Sequence, residues 1–202
     1  ERAAAEVGAG NHQGVLAYLS PIEYVELDDV LEAARAAGED AFIVVLDGIE
    51  DPQNLGSIIR TANAAGAHGV VIPARRSSPV SPAAVRASAG AAAHTPVARV
   101  TNTVRALESL KQAGLWVVGT APEAAGSIYD ADLTGPIAVV VGSEGKGMSR
   151  LVGEACDFTV NIPMLGTLAP LNAGAAWAVM AFEIVRQRMR KGGAVEQYTS
   201  DS

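Results

Sequence analysis

The sequence predicts an α/β fold in which a parallel sheet is flanked by helices. Short, continuous apolar runs, such as FIVVL at 42–46 and IAVVV at 137–141, alternate with segments of helical periodicity. Strands that are apolar on both faces are typical of a parallel sheet covered by helices on both sides. With 202 residues, 49% of them hydrophobic, the chain is long enough to bury one sizeable core.

The predicted elements alternate between strands and helices along the chain. An amphipathic helix over 28–37 comes before the first strand and ends at Gly38. We predict strands at 42–46, 69–73, 97–100, 115–119, 137–141 and 158–162, and helices at 54–67, 81–93, 102–114 and 172–190. Ligands of such sheets bind beyond the carboxyl ends of the strands. The loops after residues 46, 119, 141 and 162 are therefore the predicted site.

Composition argues against several classes of protein. The apolar stretch from Ala173 to Phe182 is ten residues long, too short to span a bilayer, and the first residues lack the apolar region of a signal peptide. Cys156 is the single cysteine, which excludes an intrachain disulfide framework and a cysteine-based zinc cluster. The three histidines have no metal-ligand spacing. We therefore expect a cytoplasmic protein without a metal ion or a membrane segment.

The formal net charge of −7 conceals an uneven distribution of charge. Residues 1–51 hold 12 acidic and 2 basic side chains, whereas the remaining 151 residues hold 10 acidic and 13 basic side chains. An acidic N-terminal segment therefore masks a mildly basic body. Charge alone neither excludes nor indicates a nucleic-acid partner.

The first polar segment, DPQNLGSIIRTANAAG at 51–66, follows the first strand. Asp51-Pro52 is a turn signal, and Asn54 is expected to cap the helix that follows. Arg60 and Asn63 are three residues apart, so they share one face of that helix. Two interpretations stay open: an ordinary strand–turn–helix with a solvated arginine, or an arginine that holds a phosphate-rich substrate in its planar fork.

The second segment, VGSEGKGM at 141–148, is a glycine-rich turn directly after a buried strand. Gly142, Gly145 and Gly147 allow close backbone approach to a ligand, although a tight turn without a ligand has the same composition. The spacing matches neither a Walker A loop nor a dinucleotide fingerprint. Glu144 would repel a pyrophosphate, which favours a ligand with hydrogen-bond donors, such as an amine, an adenine amino group or a ribose hydroxyl.

The third segment, IPMLGTLAPLN at 162–172, joins the last strand to the final helix. Pro163 and Gly166 break the chain, and Pro170 suits the first turn of a helix. Basic residues near the end of this helix are explained by its dipole, with a phosphate contact as the alternative. They are Arg186, Arg188, Arg190 and Lys191.

Together and in this order, these three segments resemble the SpoU (TrmH) family of RNA ribose 2′-O-methyltransferases, within the SPOUT superfamily. The resemblance covers about residues 11–191, includes NHQG at 11–14, and is greatest to the RlmB-type branch that methylates a guanosine of 23S ribosomal RNA. It implies a catalytic domain over 41–191 and a tail over 192–202. Residues 1–40 would be an arm with a short helix, the remnant of a junction with an RNA-binding domain.

The resemblance also implies a deep C-terminal trefoil knot, a homodimer and S-adenosylmethionine as cofactor, none of which periodicity predicts. By position, it implies that methyl transfer to a ribose 2′-hydroxyl depends on Asn54, Arg60, Glu144 and Asn172. The cofactor would lie against Gly119, Thr120, Gly142, Glu144, Gly145, Ile162, Met164, Leu171 and Asn172.

One role that the resemblance implies is chemically awkward. The family proposal makes the arginine of the first segment, here Arg60, the base that takes the proton of the ribose hydroxyl. A charged guanidinium has no acceptor, and its pKa lies above ~12. We therefore favour the hypothesis that Arg60 fixes phosphate and ribose in line with the methyl group.

The sequence departs from the family pattern at three places. The usual SLNVS is here PLNAG at 170–174, without either serine, Ala93 stands in place of a glutamate, and about ten residues precede NHQG, where many relatives have a further domain. The first two departures keep open a knotted module that binds cofactor or RNA without methyl transfer. Transfer RNA is the alternative substrate. A nucleotide-dependent metabolic enzyme is disfavoured because no phosphate fingerprint or acidic ribose ligand is correctly placed.

Overall fold

The described residues, 22–166 and 171–192 of the computed structural model, form one sheet of seven parallel strands: the six that the sequence predicts and a short additional one, β5. The strands are β1 (Phe42–Asp47), β2 (Gly69–Pro73), β3 (Val97–Val100), β4 (Trp116–Thr120), β5 (Gly126–Ser127), β6 (Ile137–Gly142) and β7 (Phe158–Asn161). They lie in the order β3-β2-β1-β6-β4-β7-β5, and every neighbouring pair is parallel. NHQG, the arm as far as residue 21, Pro170 and the tail from residue 193 lie outside the described residues.

The helices are α1 (Leu27–Ala37), α2 (Pro52–Ala64), α3 (Pro82–Ala87), α4 (Thr103–Gln112), α5 (Arg150–Glu154) and α6 (Ala173–Lys191). The prediction of one helix over 81–93 is wrong in its second half. Ala89 and Gly90 have φ values of 50° and 90°, and this left-handed backbone ends α3. The chain resumes as a 3₁₀ turn over Ala91–Ala93.

The core has two layers because the side chains of each strand alternate between the two faces of the sheet. Phe42, Val44 and Leu46 of β1 pack on the face covered by α2 and α6. Ile43 and Val45 pack on the opposite face, which α1 and α4 cover. All five side chains are buried, as the continuous apolar run predicts.

Helix α6 returns to the middle of the sheet and packs against α2. Trp177 of α6 is fully buried, and its indole Nε1 donates to the carbonyl of Ile58 at 3.1 Å. Its ring lies 5.7 Å from the ring of Phe42, measured between centroids. This anchor holds the beginning of α6 near the beginning of α2, where two of the three polar segments meet.

Helix length and side-chain clustering in the described residues bear on membrane and metal binding. None of the helices in this part of the chain is both long and apolar enough to cross a membrane. Over the same ranges, His, Cys, Asp and Glu side chains form no group of three that would suit a metal ion.

Candidate active site at the carboxyl edge of the sheet

Four neighbouring strands bring the predicted loops together at one edge of the sheet. Strands β1, β6, β4 and β7 are adjacent in that order, and the last residue of β1, Asp47, pairs with the last residue of β6, Gly142. Because β6 lies between β1 and β4, residues far apart in sequence become neighbours. The loops after β1, β4, β6 and β7 therefore line a common rim, as the rule for parallel sheets predicts.

A single carboxylate oxygen joins the first two polar segments to the start of α6, directly after the third segment. Oε1 of Glu144 accepts a hydrogen bond from Nδ2 of Asn54 at 2.9 Å and another from the backbone N–H of Ala173 at 3.2 Å. Asn54 is in the first turn of α2, Glu144 is in the glycine-rich turn, and Ala173 is the first residue of α6. The Glu144 side chain is exposed, so this junction lies open to a ligand.

The prediction that Asn54 caps α2 is wrong. Asp51 is the N-cap, and its Oδ1 accepts from the N–H of Gln53 at 3.0 Å. Pro52 explains the difference, because proline has no N–H and its fixed φ suits the first helical position. The cap therefore falls one residue before the proline, and the Asn54 amide bonds to Glu144.

Asn172 begins α6 rather than joining the Glu144 junction directly. Its Oδ1 accepts from the N–H of Ala175 at 2.7 Å, so it is the N-cap of the helix. Gly174, two residues after Asn172, is buried. A Cβ atom added to Gly174 would lie 3.0 Å from the hydroxyl oxygen of Ser57 in α2. Ser57 is a residue of this site that the sequence analysis missed, since only the packing of α6 on α2 brings it there.

The glycine-rich turn closes on itself. Ser143 and Gly147 exchange two backbone hydrogen bonds, at 2.9 and 3.1 Å, and a Cβ on Gly142 would overlap the backbone of Gly147 and Met148. The close approach that we predicted for a ligand at Gly142 is thus made by the chain itself. Gly145 differs, because it has φ +79° and nothing lies within 4 Å of its Cβ position.

The predicted cofactor residues of β4 also support this turn. A Cβ on Gly119 would lie 2.6 Å from the Cε of Met148, so glycine leaves room for the methionine. The Thr120 hydroxyl donates to the carbonyl of Val140 at 3.0 Å. Neither Gly119 nor Thr120 is exposed; they lie beneath the rim and position it.

The segment after β7 presents apolar side chains at the same rim. Ile162 is half-buried, whereas Met164 and Leu171 are 48% and 37% exposed. Leu165 between them is fully exposed. Apolar side chains with a few polar groups nearby are the usual lining of a small-molecule site.

The structure does not bring Arg60 into the Glu144 junction. Arg60 is exposed and lies six residues after Asn54 on α2, which is ~9 Å along the helix axis and a third of a turn around it. Among the described residues it forms no ion pair. The three other predicted catalytic residues lie together, and Arg60 lies apart from them.

An open parallel sheet with polar groups and glycine turns gathered at its carboxyl edge defines the class: an α/β domain that binds a small ligand at the strand ends. A family model, SpoU rRNA Methylase, matches residues 41–182. The chain belongs to the SpoU rRNA methylase family, a family of RNA methyltransferases.

Individual relatives agree with this assignment. The chain is 50% identical over 179 residues to YacO of Bacillus subtilis, which is assigned to the TrmH family of tRNA/rRNA methyltransferases; the match covers 89% of this chain and 72% of the relative. It is 48% identical over 185 residues to the 23S rRNA (guanosine-2′-O-)-methyltransferase RlmB of Pseudomonas putida, covering 90% and 73% of the two chains.

A solved structure shares the fold. The SpoU methyltransferase AviRb of Streptomyces viridochromogenes, in complex with the cofactor AdoMet, has a TM-score of 0.70 and 36% sequence identity over 75% of this chain. The present chain spans 62% of the length of that protein.

Proposed function

We propose that this chain transfers the methyl group of S-adenosylmethionine to a ribose 2′-hydroxyl of RNA, with a guanosine of 23S ribosomal RNA as the substrate. The observation that supports the proposal best is the Glu144 junction, which links Asn54 and the start of α6 through one carboxylate oxygen. The names of relatives support the finer statement, since one of them is a 23S rRNA guanosine 2′-O-methyltransferase and another binds AdoMet.

The residues at the rim fit this cofactor. The exposed apolar side chains of Met164, Leu165 and Leu171 suit one face of an adenine ring, and Gly145 is an open position in the neighbouring turn. We propose that the cofactor is held by Gly119, Thr120, Gly142, Glu144, Gly145, Ile162, Met164, Leu171 and Asn172. When bound, S-adenosylmethionine supplies an electrophilic methyl group on its sulfonium.

The chain's own side chains have to orient the ribose and let its hydroxyl lose a proton. Arg60 has donors only, so we propose that it binds a phosphate of the substrate and fixes the adjoining ribose. Glu144 holds the Asn54 amide and the first N–H of α6. Its negative charge at a helix N-terminus is favourable. In this proposal, both Glu144 and Asn172 position groups that face the substrate.

The first experiment measures cofactor binding and methyl transfer separately. The folded chain is titrated with S-adenosylmethionine by calorimetry, and transfer of a labelled methyl group is measured on 23S rRNA and tRNA transcripts. We expect binding, and transfer to the ribosomal transcript. Binding without transfer to either RNA would instead support the cofactor-binding module, and transfer to tRNA alone would correct the substrate.

A matched pair of variants tests the cofactor site. Gly142→Asp is unsuitable, because any side chain at Gly142 collides with the backbone of the turn. Met164→Asp replaces a side chain that is 48% exposed, and Leu151→Asp makes the same change at a position that is 57% exposed on α5. We expect only Met164→Asp to weaken S-adenosylmethionine binding, by at least 10-fold; equal affinities would move the cofactor away from this segment.

Arg60 is tested by two substitutions. A planar fork that binds phosphate through two N–H groups is not reproduced by lysine. We expect Arg60→Lys and Arg60→Ala to lower kcat/KM for RNA by at least 10-fold while the Kd for S-adenosylmethionine stays within 2-fold. Near-normal turnover of Arg60→Lys would contradict the proposed bidentate contact.

The knot, the homodimer and the domain boundaries belong to the same proposal. Strand β6 lies between β1 and β4, and α6 returns from β7 to pack on α2, which suits the trefoil knot that the resemblance implies. Phe182 of α6 is 50% exposed and is the residue that we propose for the dimer contact. Residues 41–191 would be the catalytic domain, and ribosomal RNA as substrate implies a cytoplasmic location.

A further inference from the structure

One stretch of the chain, residues 52–107, contains no aspartate and no glutamate, although the whole chain has a formal net charge of −7. The stretch contains six arginines, all of them exposed. Within the described ranges, none of these arginines forms an ion pair. His68 is the one residue of the stretch that does, with Glu39. The six arginines are Arg60, Arg75, Arg76, Arg86, Arg99 and Arg105.

Two of these arginines lie at the same edge of the sheet as the candidate active site. Arg75 and Arg76 belong to the loop over 74–80, which leads from the carboxyl end of β2 into α3. Strand β2 is next to β1, and β1 is next to β6. Two strand spacings amount to ~10 Å, so the loop lies within reach of a polymer whose ribose occupies the rim beside Glu144.

Hydrogen bonds hold this loop in place. The N–H of Ser78 donates to the carbonyl of Ile49 at 2.8 Å, which ties the loop to the turn between β1 and α2. At its other end, Nη2 of Arg99 donates to the carbonyl of Ala74 at 3.1 Å. Neither bond uses the side chain of Arg75 or Arg76, which therefore project from a fixed backbone.

The backbone of Arg76 is in the left-handed region, with φ +56°. That conformation is costly for a residue with a long side chain and cheaper for glycine or asparagine. Such strain persists where the surrounding structure enforces it, and it concentrates at binding sites. An arginine at a position that suits asparagine better points to a function for its charge.

We propose that Arg75 and Arg76 bind the phosphodiester backbone of the RNA next to the reacting ribose. Guanidinium groups bind phosphate through two parallel hydrogen bonds. Residues 52–107 hold no carboxylate, and the nearest ones along the chain are Glu50 and Asp51, beside the Ile49 carbonyl that Ser78 contacts. The inference rests on the proposed function, which it deepens by assigning the RNA-binding surface. It does not depend on catalysis, because RNA affinity can be measured without methyl transfer.

The test compares two double variants that remove the same charge from opposite edges of the sheet. Arg75→Ala with Arg76→Asn removes both loop guanidiniums, and asparagine tolerates the left-handed backbone. The control, Arg35→Ala with Arg190→Ala, removes two exposed arginines near the ends of α1 and α6. Fluorescence anisotropy measures the Kd for a labelled single-stranded RNA over a series of KCl concentrations, and calorimetry measures the Kd for S-adenosylmethionine.

We expect the loop variant to bind RNA at least 10-fold more weakly and the slope of log K against log salt to fall by about 1.4, or 0.7 for each lost phosphate contact. The control should stay within 3-fold of the wild type, and S-adenosylmethionine affinity should not change. If the double variant melts more than 5 °C below the wild type, Arg75→Gln alone replaces it, with an expected loss of slope of about 0.7.

Several results would overturn the proposal. They are equal losses in both double variants, an unchanged salt slope in a folded loop variant, and a wild-type chain that binds no RNA. A wild type that binds RNA through the loop but transfers no methyl group would refute the proposed function and leave this surface in place. Normal methyl transfer with unchanged RNA affinity in the loop variant would refute the proposed RNA-binding surface and leave the proposed function in place.

Discussion

The two edges of the sheet use their polar side chains for different purposes. At the amino edge, side chains bond to the backbone that starts the strands. His68 accepts from the Phe42 N–H at 3.1 Å and Asp157 from the Val117 N–H at 2.8 Å. Arg188 donates three hydrogen bonds, at 2.8–3.1 Å, to carbonyl groups at 40, 41 and 135.

At the carboxyl edge, polar side chains bond across segments and stay accessible. Glu144 and Asn172 are exposed and Asn54 is half-buried, and their partners are loops and helix starts instead of strand starts. This fold therefore separates stability from ligand binding: the amino edge holds the strands, and the carboxyl edge is available for a ligand. Substitutions at the two edges should therefore affect different measurements.

The largest effect is expected at Glu144. Glu144→Ala removes the acceptor shared by Asn54 and Ala173 and should lower kcat by about 10²–10³-fold, the range for loss of one oriented polar group. Glu144→Gln keeps an oxygen acceptor and should retain activity within 10-fold of the wild type. Methyl-transfer kinetics with thermal melting check this, and a Gln variant as inactive as Ala would show that the carboxylate itself acts as a proton acceptor.

At the amino edge, the corresponding substitution is Arg188→Met. It removes three charge-assisted hydrogen bonds and the stacking of the guanidinium 5.2 Å above the Phe42 ring. We expect a loss of about 2–4 kcal/mol in the free energy of unfolding, measured by urea denaturation. The affinity for S-adenosylmethionine in the folded variant should not change, and a stable variant with weakened cofactor binding would break the proposed separation of the edges.

Cys156 lies under the rim between α5 and β7, and its reactivity reports on that packing. The pKa of its thiol is raised to about 11, chiefly by burial and with smaller contributions from the charges of Asp157 and Asp47, against the opposing effect of Lys111. Since the ordinary value is 9.0, the thiolate fraction at pH 8 should be lower by about 100-fold. Alkylation by iodoacetamide should be slower in the native chain by a similar factor, with the urea-unfolded chain as control.

The smallest effect concerns the ion pair of Lys111 with Asp157, whose atoms Nζ and Oδ1 are 2.8 Å apart. Burial would raise the pKa of Asp157, but hydrogen bonds from Lys111 and the Val117 N–H bring it below its usual value. Its stabilising effect is therefore complete above about pH 4 and is lost as pH falls through the depressed value. Lys111→Met should cost about 0.5–1 kcal/mol at pH 7.

The pH dependence of that difference is the check. Melting temperatures of the wild type and Lys111→Met should differ most near neutral pH and converge as pH falls through the depressed pKa of Asp157, below which the carboxyl group is protonated in both. A difference that stays constant down to pH 2 would mean that the lysine contributes through packing of its stem.

Most of the fold is readable from local pattern. Buried parallel strands are continuous apolar runs, so six of the strands were predicted within about one residue of their observed bounds. The prediction missed strand β5 (Gly126–Ser127) because two residues carry no periodicity. It missed helix α5 because five residues span little more than one turn. The helix break at Ala89 was not predicted, because alanine rarely adopts the left-handed backbone conformation that it has here.

The site is less readable, since its contacts depend on strand order. Asn54 and Glu144 are 90 residues apart, and they meet only because β6 inserts between β1 and β4. Resemblance pointed to both residues, but neither spacing nor periodicity predicts that one oxygen joins them. The location of Ser57 beside Gly174 likewise requires the packing of α6 on α2. The prediction of the basic cluster at the end of α6 as a helix-dipole effect omitted the carbonyl contacts of Arg188.

The packing of Met148 over Gly119 links what two distant positions can contain. A Cβ on Gly119 would lie 2.6 Å from the Met148 Cε and 2.9 Å from the Cys156 Sγ. Substitution of Gly119 by alanine therefore requires the ends of the Met148 and Cys156 side chains to shift, and a shorter residue at position 148 is expected to offset part of its cost. Residues 119 and 148 thus form a coupled pair, so that combinations of side chains, and not single replacements, set the sequences this rim can accept.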